Sequence, residues 1–191
     1  MNRIVLASLA ALLGASAFAA PVTYILDPNH TFPSFAADHF GGLSVWRGKF
    51  DATTGKVVYD KDAKSGSIDV TVDMSSINFG MPKLNDHAKS AELFDAAKYP
   101  TATFTGKFAK FNGATPTEVE GTLTMHGVTK PVTLKLDSFM CKQNPMSKKE
   151  VCGADASGSF QRNDYGMSFG DKYGFKMDVK LQIQIEAIRA D

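Results

Sequence analysis

From Phe175 to Glu186 the chain alternates without a miss. Phe175, Met177, Val179, Leu181, Ile183 and Ile185 are apolar, and Lys176, Asp178, Lys180, Gln182, Gln184 and Glu186 stand between them. A strict period of two places the apolar side chains on one face of a strand and the polar ones on the other. The pattern recurs in Ile68, Val70, Val72 and Met74, in Ala102, Phe104, Gly106 and Phe108, in Val119, Gly121, Leu123 and Met125, and in Val132, Leu134 and Leu136. Runs over Phe32–His39 and Val45–Tyr59 are strand-like but interrupted, by Pro33 and by Thr54-Gly55. One-sided strands joined by short turns imply an antiparallel sheet. The stretch "MHGVTKPV" (Met125 to Val132) reads as one such hairpin, with Gly127 free to take a positive φ and Pro131 opening the next strand.

Only one helix is expected, capped by Asn85 or Asp86 and running through Ala97. Its apolar face would be Ala91 and Phe94 with Ala97 or His87, and Pro100 would end it. About eight strands and no second layer favour an all-β, antiparallel eight-stranded barrel with one short helix, because closure removes the sheet edges. A two-sheet sandwich is the alternative.

The N-terminus reads as a secretory signal peptide. Arg3 precedes an apolar core, Ile4 to Leu13, that is too short to span a bilayer, and Ala17-Phe18-Ala19 has the small-x-small form of a cleavage site. Residues 1–19 would be removed and residues 20–191 would form a single barrel domain in the periplasm. The whole chain carries 21 basic and 20 acidic side chains, so losing Arg3 leaves the rest in balance. That argues against nucleic acid or an anionic membrane surface as the main partner, and no later stretch could anchor the chain stably in a membrane.

Cys141 and Cys152 are the only cysteines, and they flank the polar loop Lys142 to Glu150. In an oxidising compartment the pair reads as a disulfide, closing a loop for about 3 kcal/mol in the chain-entropy account. A redox role is the sharper alternative, but the short spacing of a reactive pair is missing.

Several motifs together resemble the YceI family of exported, lipocalin-like, polyisoprenoid-binding proteins. The first block runs from Asp27-Pro28-Asn29-His30-Thr31-Phe32 through Phe35 to His39, with Gly48-Lys49-Phe50 following. Ser76-Ile77-Asn78, Asp86-His87, Leu93-Phe94-Asp95 and Tyr99-Pro100 form the middle block. "VEGTLTMHGVTKPVTL" (Val119 to Leu134) is the most specific stretch, and Arg162-Asn163-Asp164-Tyr165-Gly166-Met167 forms the late one. Thr31 stands where the family usually has serine, and Leu93 replaces a common phenylalanine. The resemblance implies an eight-stranded barrel with an apolar lumen for an isoprenoid or other long-chain lipid, and no established catalysis.

On that reading the lumen is walled by Phe35, Phe50, Val70, Val72, Phe104, Leu123, Met125, Leu134, Phe160, Met177, Val179, Leu181 and Ile183, with Gly121 among them. Parity also places Gly106, Ala154, Ala156 and Gly158 inward, and small inward residues leave room for a ligand. The alternative for each glycine is a bend or bulge. His39, His87, His126, Arg162 and Asp164 are candidates to meet a polar head group, or to act as local anchors; Arg162 and Asp164 would otherwise be an ion pair at a turn. No two histidines share helical i, i+4 spacing and no Cys/His cluster exists, so no metal is expected.

The expected function is therefore an exported carrier of an isoprenoid lipid or quinone, acting alone or as a homodimer, with no other cofactor. A metal-dependent periplasmic hydrolase and a partner-binding module for a membrane redox protein are the rival readings.

Overall fold

The computed structural model describes residues 20–190, so the expected signal peptide lies outside the described residues. The strands are β1 (Val22–Leu26), β2 (Phe32–His39), β3 (Ser44–Phe50), β4 (Thr53–Asp60), β5 (Ser65–Asp73), β6 (Ile77–Asn78), β7 (Thr101–Asn112), β8 (Thr115–Met125), β9 (Val128–Gln143), β10 (Glu150–Gln161) and β11 (Asp178–Arg189). All pairings are antiparallel, and β11 pairs back onto β1, so the sheet closes. No described helix is long and apolar enough to cross a membrane.

Eleven strands occupy eight positions around the barrel. β1 and β2 are one strand interrupted at 27–31, since β1 pairs with Ala187–Arg189 of β11 while β2 pairs with its Val179–Gln184 portion. β3 and β4 likewise form one strand broken at Asp51-Ala52, and the short β6 continues β5 beside β3. The barrel expected from the alternation is thus present, with one short α-helix among the described residues.

Several local expectations are corrected. The interruption near Thr54-Gly55 is not a strand end: β4 runs through Gly55, whose φ of +153° a side chain would rarely adopt and whose Cβ would collide with the carbonyl oxygen of Asp69. The helix, α1 (Pro82–Lys89), starts three residues early and stops eight short, with Pro82 in its first turn and Ser90 ending it in an extended conformation. Asn85 does not cap it; its Oδ1 accepts the backbone N–H of Phe79 instead. Ala91 and Ala97 are exposed, and Ala88 is the buried alanine. The alternating run that opens at Phe175 becomes strand only from Asp178, because residues 171–173 form a short 3-10 turn that draws Phe175 away. Pro131 lies inside β9 rather than at its start, beyond the last β9–β10 pair at Lys135 and Ser157, so on that side its missing N–H breaks no ladder.

The two ends of the barrel differ. At the lower end, where the described residues begin and end and the 61–64, 113–114 and 144–149 turns lie, Tyr59, Phe108 and Phe139 meet edge to face at 5.4–6.2 Å. Tyr59 donates to the Ala114 carbonyl, and Tyr24 donates to Glu150 Oε2 at 3.1 Å. The disulfide Cys141–Cys152 joins directly opposed residues of β9 and β10 in the same cluster. This end is packed shut. The upper end carries the 40–43 hairpin, the 74–100 segment with α1, the His126-Gly127 turn and the 162–177 segment.

Candidate functional site

The inward faces of the strands enclose an apolar cavity of about 420 Å³ that opens at the upper end. That volume lies in the range of small-molecule sites, roughly 300–1,000 Å³. Its floor is made by Ile68, Val119, Leu136 and Ile185, which pack against the Tyr59–Phe108 cluster. Its walls include Phe35, Phe50, Val70, Val72, Phe104, Leu123, Met125, Leu134, Phe160, Val179, Leu181 and Ile183. Leu84 and Ala88 of α1, with Leu93 and Phe94 just after it, complete one side near the top.

Polar side chains in the lining gather at the mouth; Thr31 is the exception, and its hydroxyl donates to the Glu186 carbonyl at 3.0 Å. Asp38 closes β2 and accepts the N–H groups of Lys176 (3.0 Å) and Gly41 (2.9 Å); these hydrogen bonds hold its pKa below the ordinary carboxylate value. Arg162 is half-buried and donates from Nη1 to the Met167 carbonyl (2.9 Å) and from Nη2 to the Phe169 carbonyl (2.7 Å). Burial lowers its pKa, while the charges of Asp171 and Asp38 oppose that shift, and a guanidinium stays charged regardless. His39 Nδ1 lies 3.3 Å from Ser44 Oγ, and its ring meets Trp46 and Phe175 edge-on at 5.8 and 5.4 Å. His87 stands 4.9 Å from the Phe169 ring and 3.5 Å from Glu92 Oε2. The mouth therefore offers one buried-edge cation, one backbone-bound carboxylate and two imidazoles above an apolar shaft.

Four of the residues assigned to the site from sequence sit elsewhere. Gly121 does face inward, but the Phe104 ring covers it and it does not line the cavity. Met177 precedes β11 and is half-buried outside the cavity, its carbonyl accepting the Arg162 N–H at 2.9 Å. Asp164 is exposed at the 3-10 turn after β10, and Arg162 points away from it to two carbonyls rather than forming the ion pair. His126 is a positive-φ turn residue (φ 53°) beside Gly127 (φ 77°), the conformation of a type I′ hairpin. Its Nδ1 lies 2.9 Å from the Tyr165 carbonyl oxygen and its ring 4.5 Å from Tyr99, so it ties the β8–β9 turn to the segment after β10. Gly106 and Gly158 likewise face side chains, Val119 with Phe104 and Leu134 respectively, rather than free space.

Sequence reasoning also missed lining residues. Ile68, Val119, Val132 and Ile185 were already signalled by their parity with assigned neighbours. Asp38, Trp46, Phe79 and Phe169 reach the mouth from loops or strand ends, and no period marks them; Phe175 belongs to the alternating run but reaches the mouth from the segment ahead of β11.

The YceI-like domain family matches residues 24–187, nearly the whole described barrel. This chain belongs to the YceI family. The YceI protein of Salmonella arizonae is 30% identical over 185 residues, covering 95% of each chain. Among solved structures, Burkholderia cenocepacia BcnA superposes with a TM-score of 0.66 at 23% identity, covering 82% of this chain and 96% of its own. A polyisoprenoid-binding domain from Saccharophagus degradans gives a TM-score of 0.60 at 16% identity, covering 88% and 99%. These likenesses establish the YceI barrel as the fold.

Proposed function

We propose that this YceI protein is an exported carrier that buries the tail of a long-chain isoprenoid lipid or quinone in the barrel and keeps its polar head at the mouth. The observation that carries this reading is the shaft itself: an apolar cavity shut at one end, open at the other, with its ionisable groups confined to the rim. Burial alone supplies affinity, about 0.8 kcal/mol for each enclosed methylene. Arg162 is suited to a phosphate or carbonyl oxygen of the head group, and His39 and His87 to a hydroxyl. The polyisoprenoid binding named for the Saccharophagus domain, on a barrel of the same fold, supports the ligand class. Export rests on the signal-like residues 1–19 and fits the oxidised Cys141–Cys152 pair. Binding is the action this reading assigns, with the rim histidines facing aromatic rings, Ser44 and Glu92. Among the described residues no three metal-ligating side chains converge.

Purified protein extracted with organic solvent and analysed by mass spectrometry should yield an isoprenoid or isoprenoid quinone near one per chain. An extract with no lipid, from protein that also takes none up from detergent micelles, overturns the proposal. Stoichiometric zinc would instead favour the hydrolase.

A further inference from the structure

Six of the nine large apolar side chains that stand exposed among the described residues surround the cavity mouth. Phe40, Leu43 and Val45 belong to the β2–β3 hairpin, Met81 precedes α1, and Phe169 and Tyr173 lie between β10 and β11. Leu43 is 78% exposed, Phe40 57% and Tyr173 56%, which is costly in water unless something covers them. They are also continuous with the shaft. The Phe40 ring lies 5.0 Å from Phe175 and 5.1 Å from His39, both lining residues, and Phe169 is itself at once exposed and lining.

Residues 38–47, 74–100 and 162–177, which build the upper end, hold seven basic side chains (Arg47, Lys83, Lys89, Lys98, Arg162, Lys172, Lys176) against six acidic ones (Asp38, Asp86, Glu92, Asp95, Asp164, Asp171), as balanced as the whole chain. Charge therefore selects no sign of surface, and the apolar tips decide. Apolar tips ringing an opening suit the interface of a bilayer. Three separate projections around an opening also suit a fluid surface, which closes around each tip, better than a rigid partner face.

We propose that the upper rim docks on the surface of a lipid bilayer, so that a tail passes between membrane and barrel without crossing water. The proposal rests on the carrier reading above. Phe40, Leu43 and Tyr173 are the anchors.

Trp46 is the only tryptophan, and it sits in the mouth. The chain from residue 20 onward is mixed with phosphatidylcholine–phosphatidylglycerol vesicles carrying brominated acyl chains. It should float with them and lose Trp46 fluorescence, and pure phosphatidylcholine should bind it about as well. The comparison variant is Phe40→Asn, Leu43→Ser and Tyr173→Ser together; none of the three lines the cavity, and asparagine accepts the φ of 52° at position 40. Its partition should fall about tenfold or more, in step with the apolar area removed, while melting temperature and isoprenoid uptake from micelles stay unchanged. Parent protein that does not float, or a variant that floats equally well, overturns the proposal. So does flotation without quenching of Trp46, which would turn the opposite end, with Met140 and Met146, to the membrane. A parent dimer that the variant abolishes, with no flotation, would assign the rim to a second copy. Protein that takes up no isoprenoid from micelles defeats the carrier reading, whatever the vesicles do.

Discussion

The Phe104 ring occupies the space that a side chain on Gly121 would need: a methyl group there would stand 2.5 Å from Phe104 Cζ and 2.5 Å from the Thr105 carbonyl oxygen. Gly106, paired directly with Gly121 across β7 and β8, meets the same ring at 3.0 Å. One phenylalanine thus lies over two facing glycines. The glycines do not leave room for the ligand; they set how deep Phe104 sits, and Phe104 shapes the wall.

Gly121→Ala should therefore destabilise the protein by about 1–3 kcal/mol, as overpacking does. Adding Phe104→Leu removes the ring contact but leaves the Thr105 oxygen, so it should rescue only part of the loss. Chemical denaturation of delipidated protein measures both. An alanine variant as stable as the parent would mean that β8 shifts freely at this point.

The disulfide lies in the closed lower end, beside Tyr59 and Phe108 and away from the mouth. Replacing Cys141 and Cys152 by serine should cost about 3 kcal/mol through the chain-entropy effect, which for a domain of this size lowers the melting temperature by about 6–12 °C. Lipid per chain should not change. Loss of lipid at unchanged stability would give the pair a role in binding.

In the interruption between β1 and β2, His30 Nδ1 lies 2.7 Å from Asp27 Oδ2. The hydrogen bond from His30 holds the Asp27 carboxyl below its ordinary 3.8, and the same bond raises His30 above 6.5. Stability from the lowered carboxyl is present above 3.8 and lost as pH falls through its folded value. Stability from the raised imidazole is present below 6.5 and lost as pH rises through its folded value. The pair is whole between those limits. Titration by NMR should show His30 above 6.5 in the parent and back near 6.5 in Asp27→Asn; an unshifted parent refutes the pairing.

Tyr165 is 1% exposed, and among the described residues no group accepts or donates at its hydroxyl. Burial, helped by the charge of Asp164, pushes its phenol up to about 12. An unsatisfied buried hydroxyl costs about 1–3 kcal/mol, so Tyr165→Phe should melt higher than the parent once lipid is removed. A lower melting temperature would reveal a partner for the hydroxyl in solution.

How much of this was legible in the sequence depends on what sets each position. Val179, Leu181 and Ile183 face the shaft because parity alone decides which face of β11 is wet, and their register with β2 and β10 follows from the same alternation. Met177 failed because alternation cannot show where a strand begins; the turn at Asp171–Tyr173 decides that. Gly121 failed because parity gives direction but not what fills the space ahead. His126 carried a functional look, yet its position is fixed by a positive φ and a bond to Tyr165, thirty-nine residues away. The mouth was hidden most: Asp38, Trp46, Phe79, Phe169 and Phe175 converge only once three segments are folded beside one another.

The pairing of Tyr24 with Arg189 joins nearly the first described residue to nearly the last. Counted as eight barrel positions, the other pairings join neighbours in the chain, so the hairpins from β7 to β10 can form as soon as they are made. Closure cannot: β11 supplies the far side of both β1 and β2, and bringing such distant segments together is the contact that chain entropy most delays. A chain still being synthesised therefore holds an unsealed sheet with its apolar face open to whatever handles it. The barrel becomes a container only when its final dozen residues arrive, and a chain cut short of β11 should retain hairpins but no vessel.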